Sequence, residues 1–237
     1  MDAPSFHATA IPTAGERLVL DEVGSHHAVA VLRMREVAVA RLVDGRGVAA
    51  KAEVRDAHKK KCVLEVIEYR VLPDTRHPLT LAVSLLKNPS RFEWMLEKVC
   101  ELGVRRVVPL VVQRTERQRV RQDRLAAVAL SAMLQSQQAW MTEVDPPTGL
   151  ESLLSAPDQG QRLIAHCLPG MPTAELRPMS GETMMLVGPE GDFTEAEVAS
   201  ALSGGFKPVR LGPTRLRTET AGIVAAAVLC LRADRGH

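Results

Sequence analysis

The chain has 237 residues, of which 46% are hydrophobic and 24% charged, the composition of an ordinary globular protein long enough for two domains. A net charge of +2 neither demands nor excludes a nucleic-acid partner. Cys62, Cys100, Cys167 and Cys230 are scattered with no C-x-x-C pair, which argues against a disulfide framework or a zinc site and for reduced thiols.

Aromatic residues make up only 3%, so apolar area must come from Val, Leu, Ala and Met. The N-terminal stretch lacks a basic start followed by an apolar run, and no segment reaches membrane-spanning length. The expectation is a cytoplasmic protein with no membrane and no metal partner.

Up to about residue 71 the pattern is one of short strands and turns. Strands are predicted at 17–20, 37–43, 48–54 and 62–69, with a helical turn at 26–32. Together they read as a small β-barrel-like domain over residues 1–72, and the breaker-rich stretch 72–78 reads as a linker. From Leu79 apolar runs of strand length alternate with helical spacing, which predicts a parallel sheet flanked by helices over 73–237. Strands are expected at 79–86, 107–112, 162–167, 183–187 and 206–211. Helices are expected at 91–102, 125–134, 194–202 and 218–232, and 145–160 reads as loop. Thr194 and Glu197 form a capping-box pattern, and Gly204-Gly205 supplies a stop.

In open parallel sheets ligands bind in loops beyond the carboxyl ends of strands. Two such loops stand out. Gly188-Pro189-Glu190-Gly191-Asp192-Phe193 joins a buried strand to a capped helix, and its glycines permit close approach of a ligand to backbone. A plain tight turn accounts for the same residues. Leu211-Gly212-Pro213-Thr214-Arg215-Leu216-Arg217-Thr218-Glu219 repeats the strand-to-helix placement and the Gly-Pro pair. Helix capping explains Thr218 and Glu219 there but leaves Arg215 and Arg217 unused.

Other signals are weaker. Gly45-Arg46-Gly47-Val48-Ala49-Ala50 fits G-x-G-x-x-A but joins two strand-like segments, so it reads as a hairpin turn and not a dinucleotide site. His26-His27 has no partner at metal-ligand spacing. Seven arginines between Arg105 and Arg124, and the cluster Arg55, Lys59, Lys60 and Lys61, are either solvated faces or nucleic-acid contacts.

The two Gly-Pro loops, ending in Leu216-Arg217-Thr218-Glu219-Thr220-Ala221, resemble those of the RsmE family of 16S rRNA methyltransferases in the SPOUT superfamily. So do Lys87…Arg91-Phe92-Glu93-Trp94…Glu101-Leu102-Gly103, Thr115-Glu116-Arg117 and Met133-x-Gln135-Ser136. In the first domain His26-His27…Val31-Leu32-Arg33 and Val43-Asp44-Gly45-Arg46-Gly47 look like the family's PUA-like module. The likeness is collinear over nearly the whole chain. It departs at Asp192, where the family usually has a second glycine, and at Val37, where it often has one.

The resemblance implies an α/β fold: a SPOUT parallel sheet tied in a trefoil knot, after a PUA-like β-barrel. It implies a homodimer that binds S-adenosyl-L-methionine and makes N3-methyluridine in 16S rRNA on the assembled 30S subunit. Cofactor contacts are expected around Leu186, Gly188, Glu190, Gly191, Leu211, Gly212, Leu216, Arg217 and Thr218. Gly188→Val is expected to abolish cofactor binding with the fold intact. Uracil N3 must lose its proton to become a nucleophile. Arg217 is the candidate for stabilising the resulting charge and Glu219 the candidate proton acceptor, although loop ordering explains both equally well. Arg33, Arg35, Arg91, Arg114 and Arg117 are candidate RNA phosphate contacts. Two competing readings are a non-enzymatic RNA-binding ribosome assembly factor and a SPOUT methyltransferase acting on tRNA.

Overall fold

Alternating apolar residues build one unit, and continuous apolar runs build the other. Residues 3–116, 119–155, 160–168, 173–177 and 181–230 are described in the computed structural model. The chain divides into Met1–Thr75 with Met133–Met141, and Arg76–Ala132 with Thr142–His237.

The first unit contains β1 (Ser5–His7), β2 (Arg17–Val19), α1 (Glu22–His26), β3 (Val39–Val43), β4 (Val48–Asp56) and β5 (Val63–Val71). They form a five-stranded sheet in the order β1-β3-β4-β5-β2, with only the β1–β3 pair parallel. Inward positions such as Ala40, Leu42, Ala52, Val54, Leu64 and Val66 form its core with Phe6, Leu20 and Ala28. The glycine pair between β3 and β4 is a hairpin turn. Asp44 accepts from the Arg46 and Val48 amides at 2.7 and 2.9 Å, and Gly45 and Gly47 take φ of +73° and +99°. A Cβ on Gly47 would lie 2.4 Å from the Trp140 ring, so no other residue fits there. At 26–32 the expected helical turn is α1 running into a π-helical turn, His27–Val31. The His27 ring packs edge-on against Phe6, a structural placement.

The second unit contains β6 (His77–Ser84), α2 (Pro89–Glu101), β7 (Val104–Val111), α3 (Gln122–Gln135), β8 (Glu143–Val144) and β9 (Thr148–Gly149). It continues with α4 (Leu150–Leu154), β10 (Gln161–Ala165), β11 (Ala174–Glu175), β12 (Thr183–Val187), α5 (Glu195–Ser203), β13 (Lys207–Arg210) and α6 (Thr218–Cys230). The strands form one parallel sheet ordered β11-β13-β10-β12-β6-β7-β8, with β9 also on β7. Both faces of such a sheet are covered, which is why its central strands read as unbroken apolar runs. Ala82, Val108, Leu110, Ile164 and Leu186 pack with Phe193, Val198 and Phe206.

The expectation of loop over 145–160 is corrected by β9 and α4. Five helical residues are too few to show a 3.6-residue period, yet Leu150 and Leu153 are buried in the core. Elsewhere the helices begin where their caps allow. Thr194 and Glu197 complete the capping box of α5. Gly222 lets α6 pack closely on α2, since a Cβ there would stand 2.7 Å from Met95 Sδ. No described helix is long and apolar enough to cross a membrane.

Register matters most for function. Ala165 pairs with both Val187 and Val209, and Val187 pairs with Val83. Strands β13, β10, β12 and β6 therefore end level, and the loops that leave β13, β10 and β12 emerge side by side.

Candidate functional site

The two Gly-Pro loops meet. Thr218 Oγ1, buried at the start of α6, donates to the Gly188 carbonyl at 3.0 Å. Arg215 Nη2 donates to the Glu190 carbonyl at 3.1 Å. Between these ties and the end of β10 lies a cavity of about 600 Å³ including its open mouth, within the range of small-molecule sites. Its walls are the three strand ends and the loops after them.

Of the residues expected to hold a cofactor, Gly188, Glu190, Leu211, Gly212, Leu216 and Thr218 line this cavity. Leu186 does not; it is fully buried in the sheet core, and packing accounts for it. Gly191 instead faces Arg114, whose Nη1 donates to the Gly191 carbonyl at 2.5 Å. Arg217 is exposed beside the cavity loop, and its side chain has no partner among the described residues.

The glycines differ in what they permit. A Cβ on Gly212 would meet nothing within 4 Å, so open space lies beside this lining residue. A Cβ on Gly188 would meet the Phe193 ring at 3.0 Å and the Phe193 amide nitrogen at 3.3 Å. Gly188 thus stands in tight contact with Phe193, so a valine there would press on the loop's own packing as well as on the cavity.

Asp192 carries the departure from the family pattern. Its φ is +64°, in the left-handed region that favours glycine. Its carboxylate accepts from the Cys167 amide at 2.7 Å and the Phe193 amide at 2.8 Å, binding the loop after β10 to the loop after β12. Val37, the second departure, likewise has φ of +68°. At both positions a side chain stands where the backbone itself asks for glycine.

Glu219 is 6% exposed, yet it does not line the cavity. Its Oε1 lies 3.8 Å from Arg91 Nη1, and its Oε2 has no hydrogen-bond partner among the described residues. Arg91 and Glu219 form an ion pair across α2 and α6.

A family model described as RNA methyltransferase domain matches residues 73–230, and one described as RNA methyltransferase PUA domain matches 21–67. The ribosomal RNA small subunit methyltransferase E of Mycobacterium tuberculosis is 30% identical over 99% of this chain and 94% of its own length. The chain belongs to this RNA methyltransferase family. The Synechocystis member is 29% identical over 85% of this chain and 69% of its own. Among solved structures, a probable rRNA-methyltransferase from Porphyromonas gingivalis superposes with a TM-score of 0.86 at 36% identity, covering 94% of this chain and 95% of that one. The Neisseria gonorrhoeae ribosomal RNA small subunit methyltransferase E, solved bound to S-adenosylmethionine, gives 0.83 at 29% identity over 95% and 96%.

The RNA methyltransferase fold places the expected RNA-contacting arginines unequally. Arg33 and Arg35 are exposed in the first unit. Arg91 faces Glu219, and Arg114 braces the loop after β12. Arg117 lies outside the described residues. Much of the arginine run is committed to acids: Arg105 to Glu182, Arg106 to Asp145, Arg121 to Asp123 and Arg124 to Glu93. Arg55 is likewise shared by Glu53 and Glu65. Those residues are a salt-bridged surface, worth little each in stability.

Sequence reasoning missed the loop after β10. Ala165, His166 and Cys167 line the cavity together with Asp192 and Arg210. Ala165, His166 and Cys167 carry no local sign that they face a ligand; only the strand order brings them there.

Proposed function

We propose that the chain transfers a methyl group from S-adenosyl-L-methionine to N3 of a uridine in 16S rRNA, acting as a homodimer on the assembled 30S subunit. In this reading residues 1–72 grip RNA and 73–237 carry the chemistry, with the C-terminal segment threaded in the trefoil knot that the family resemblance implies. The observation that carries the reading is the cavity where two Gly-Pro loops are tied together at the ends of adjacent parallel strands. The Neisseria gonorrhoeae relative was solved with this cofactor.

The cavity suits the cofactor on two counts. Gly212 has open space beside it, and the loop backbones of Gly188, Leu211, Gly212 and Leu216 would offer polar groups to an adenosine. Gly191 and Leu186 would support those loops from behind. When bound, the cofactor supplies an electrophilic methyl group on a sulfonium. The chain's part is positioning and charge control.

Arg217 is free to place a planar guanidinium against a uracil carbonyl or a phosphate. Glu219 would accept the N3 proton only if RNA binding uncovers its Oε2, which is buried outside the cavity lining and has Arg91 as a cationic neighbour. Arg33, Arg35, Arg114 and Arg117 would contribute phosphate contacts, which should weaken with salt.

The decisive experiment is nucleoside mass spectrometry of rRNA from a strain lacking the protein, complemented with wild-type chain or Arg217→Ala. Loss of N3-methyluridine and its return only with the wild type is expected. Retention of the modified base in the deletion strain overturns the proposal.

A further inference from the structure

Among the side chains lining the cavity, most polar groups are occupied or exposed. Thr218 Oγ1 donates to Gly188, the Asp192 carboxylate accepts from two amides, and Arg215 reaches Glu190. Cys167, Glu190, Arg210 and Thr214 are exposed. His166, at the carboxyl end of β10, is different. It is 6% exposed, and its Nε2 has no hydrogen-bond partner among the described residues.

The tautomer follows from its other nitrogen. Nδ1 accepts from the Leu168 amide at 3.2 Å, so in the neutral ring the proton sits on Nε2. A buried donor left unmet is costly, and such groups need an explanation. The loop that carries His166 is itself held in place, because Asp192 grips the next amide, that of Cys167.

We infer that a small tilt of the His166 ring, which lines the cavity, brings its buried Nε2–H to the cavity surface to donate to an oxygen of the bound cofactor, either a ribose hydroxyl or the carboxylate, and that Asp192 acts as a positioning residue for that contact. The inference rests on the cavity being the S-adenosylmethionine site. Burial keeps the imidazole below its ordinary value, against the opposing charge of Asp192, so the ring is neutral near pH 7. A neutral donor adds no like charge beside a sulfonium. A glycine at position 192 would satisfy the backbone but could not hold the His166–Cys167 segment.

Calorimetry with S-adenosylhomocysteine and with 5′-methylthioadenosine tests the proposal on three proteins. His166→Asn can still accept from Leu168 but cannot reach as far as Nε2; His166→Gln restores a donor at that reach. Asn should weaken S-adenosylhomocysteine binding about tenfold and Gln should recover most of it. A merely structural histidine gives the reverse order, because Asn keeps the Leu168 bond and Gln does not. Loss with both ligands assigns the acceptor to the ribose; loss with S-adenosylhomocysteine alone assigns it to the carboxylate. Equal affinity of wild type and His166→Asn for both ligands, with unchanged melting temperatures, overturns the inference and leaves the site standing. Failure of the wild type to bind either ligand sinks the site itself.

Discussion

The two Gly-Pro loops have the same grammar in sequence, a strand, Gly-Pro and a helix, but they are built differently. The loop after β12 is locked from every side. Phe193 is fully buried behind it, Gly188 lies against the Phe193 ring, Asp192 binds two amides, and Arg114 holds the Gly191 and Phe193 carbonyls. The loop after β13 is open. Gly212 faces empty space, Leu211 and Leu216 are half-buried, and Arg217 is unpartnered among the described residues. One loop is a wall made by packing and the other a side left free to receive. Gly188 of the first loop packs against Phe193, whereas Gly212 of the second stands beside open space.

The sharpest way to break this contrast is to remove the wall. Phe193→Ala should cost about 3–5 kcal/mol of unfolding free energy, as for other large core truncations. A loss below about 1 kcal/mol in urea titration would show that the first loop does not depend on its core anchor. Next in size is a paired substitution. Gly188→Val should lower stability by about 1–3 kcal/mol through overpacking against Phe193. Gly212→Val should leave the melting temperature unchanged and weaken S-adenosylhomocysteine binding by at least tenfold in calorimetry. Equal effects of the two valines would erase the difference between the loops. The smallest effect concerns thiols. Cys62, Cys100 and Cys230 are buried and Cys167 is exposed at the cavity. Burial pushes the Cys100 thiol up to about 11 and the Cys230 thiol up to about 12, so neither forms thiolate near pH 8. A thiol reagent at that pH should label Cys167 alone in the native protein, and more slowly when the cavity holds S-adenosylhomocysteine. Rapid labelling of Cys100 or Cys230 would contradict the packed interior.

Much of the fold was legible in order along the chain. The strand at Thr183–Val187 was readable because a buried parallel strand is an unbroken apolar run between turn signals. Helix α5 was readable from Thr194 and Glu197, which act within one turn. The 145–160 segment was not, because α4 is shorter than the period that would reveal it. The arginine run also misled in part: spacing shows a row of cations, but not that Glu182, Asp145 and Glu93 return from distant positions to pair with them.

By itself, then, the amino-acid order determined what is local: element type, caps, the hairpin glycines, and the loops whose composition marks them as unusual. Their chemistry acts over a few residues, so it is written in adjacent letters. Tertiary structure decided which strand ends stand side by side, and with that the recruitment of His166 and Asp192, the burial of Glu219 beside Arg91, and the inward use of Gly188. Those facts depend on strand order in the sheet, which joins residues far apart in the chain and leaves no trace in the spacing of either partner.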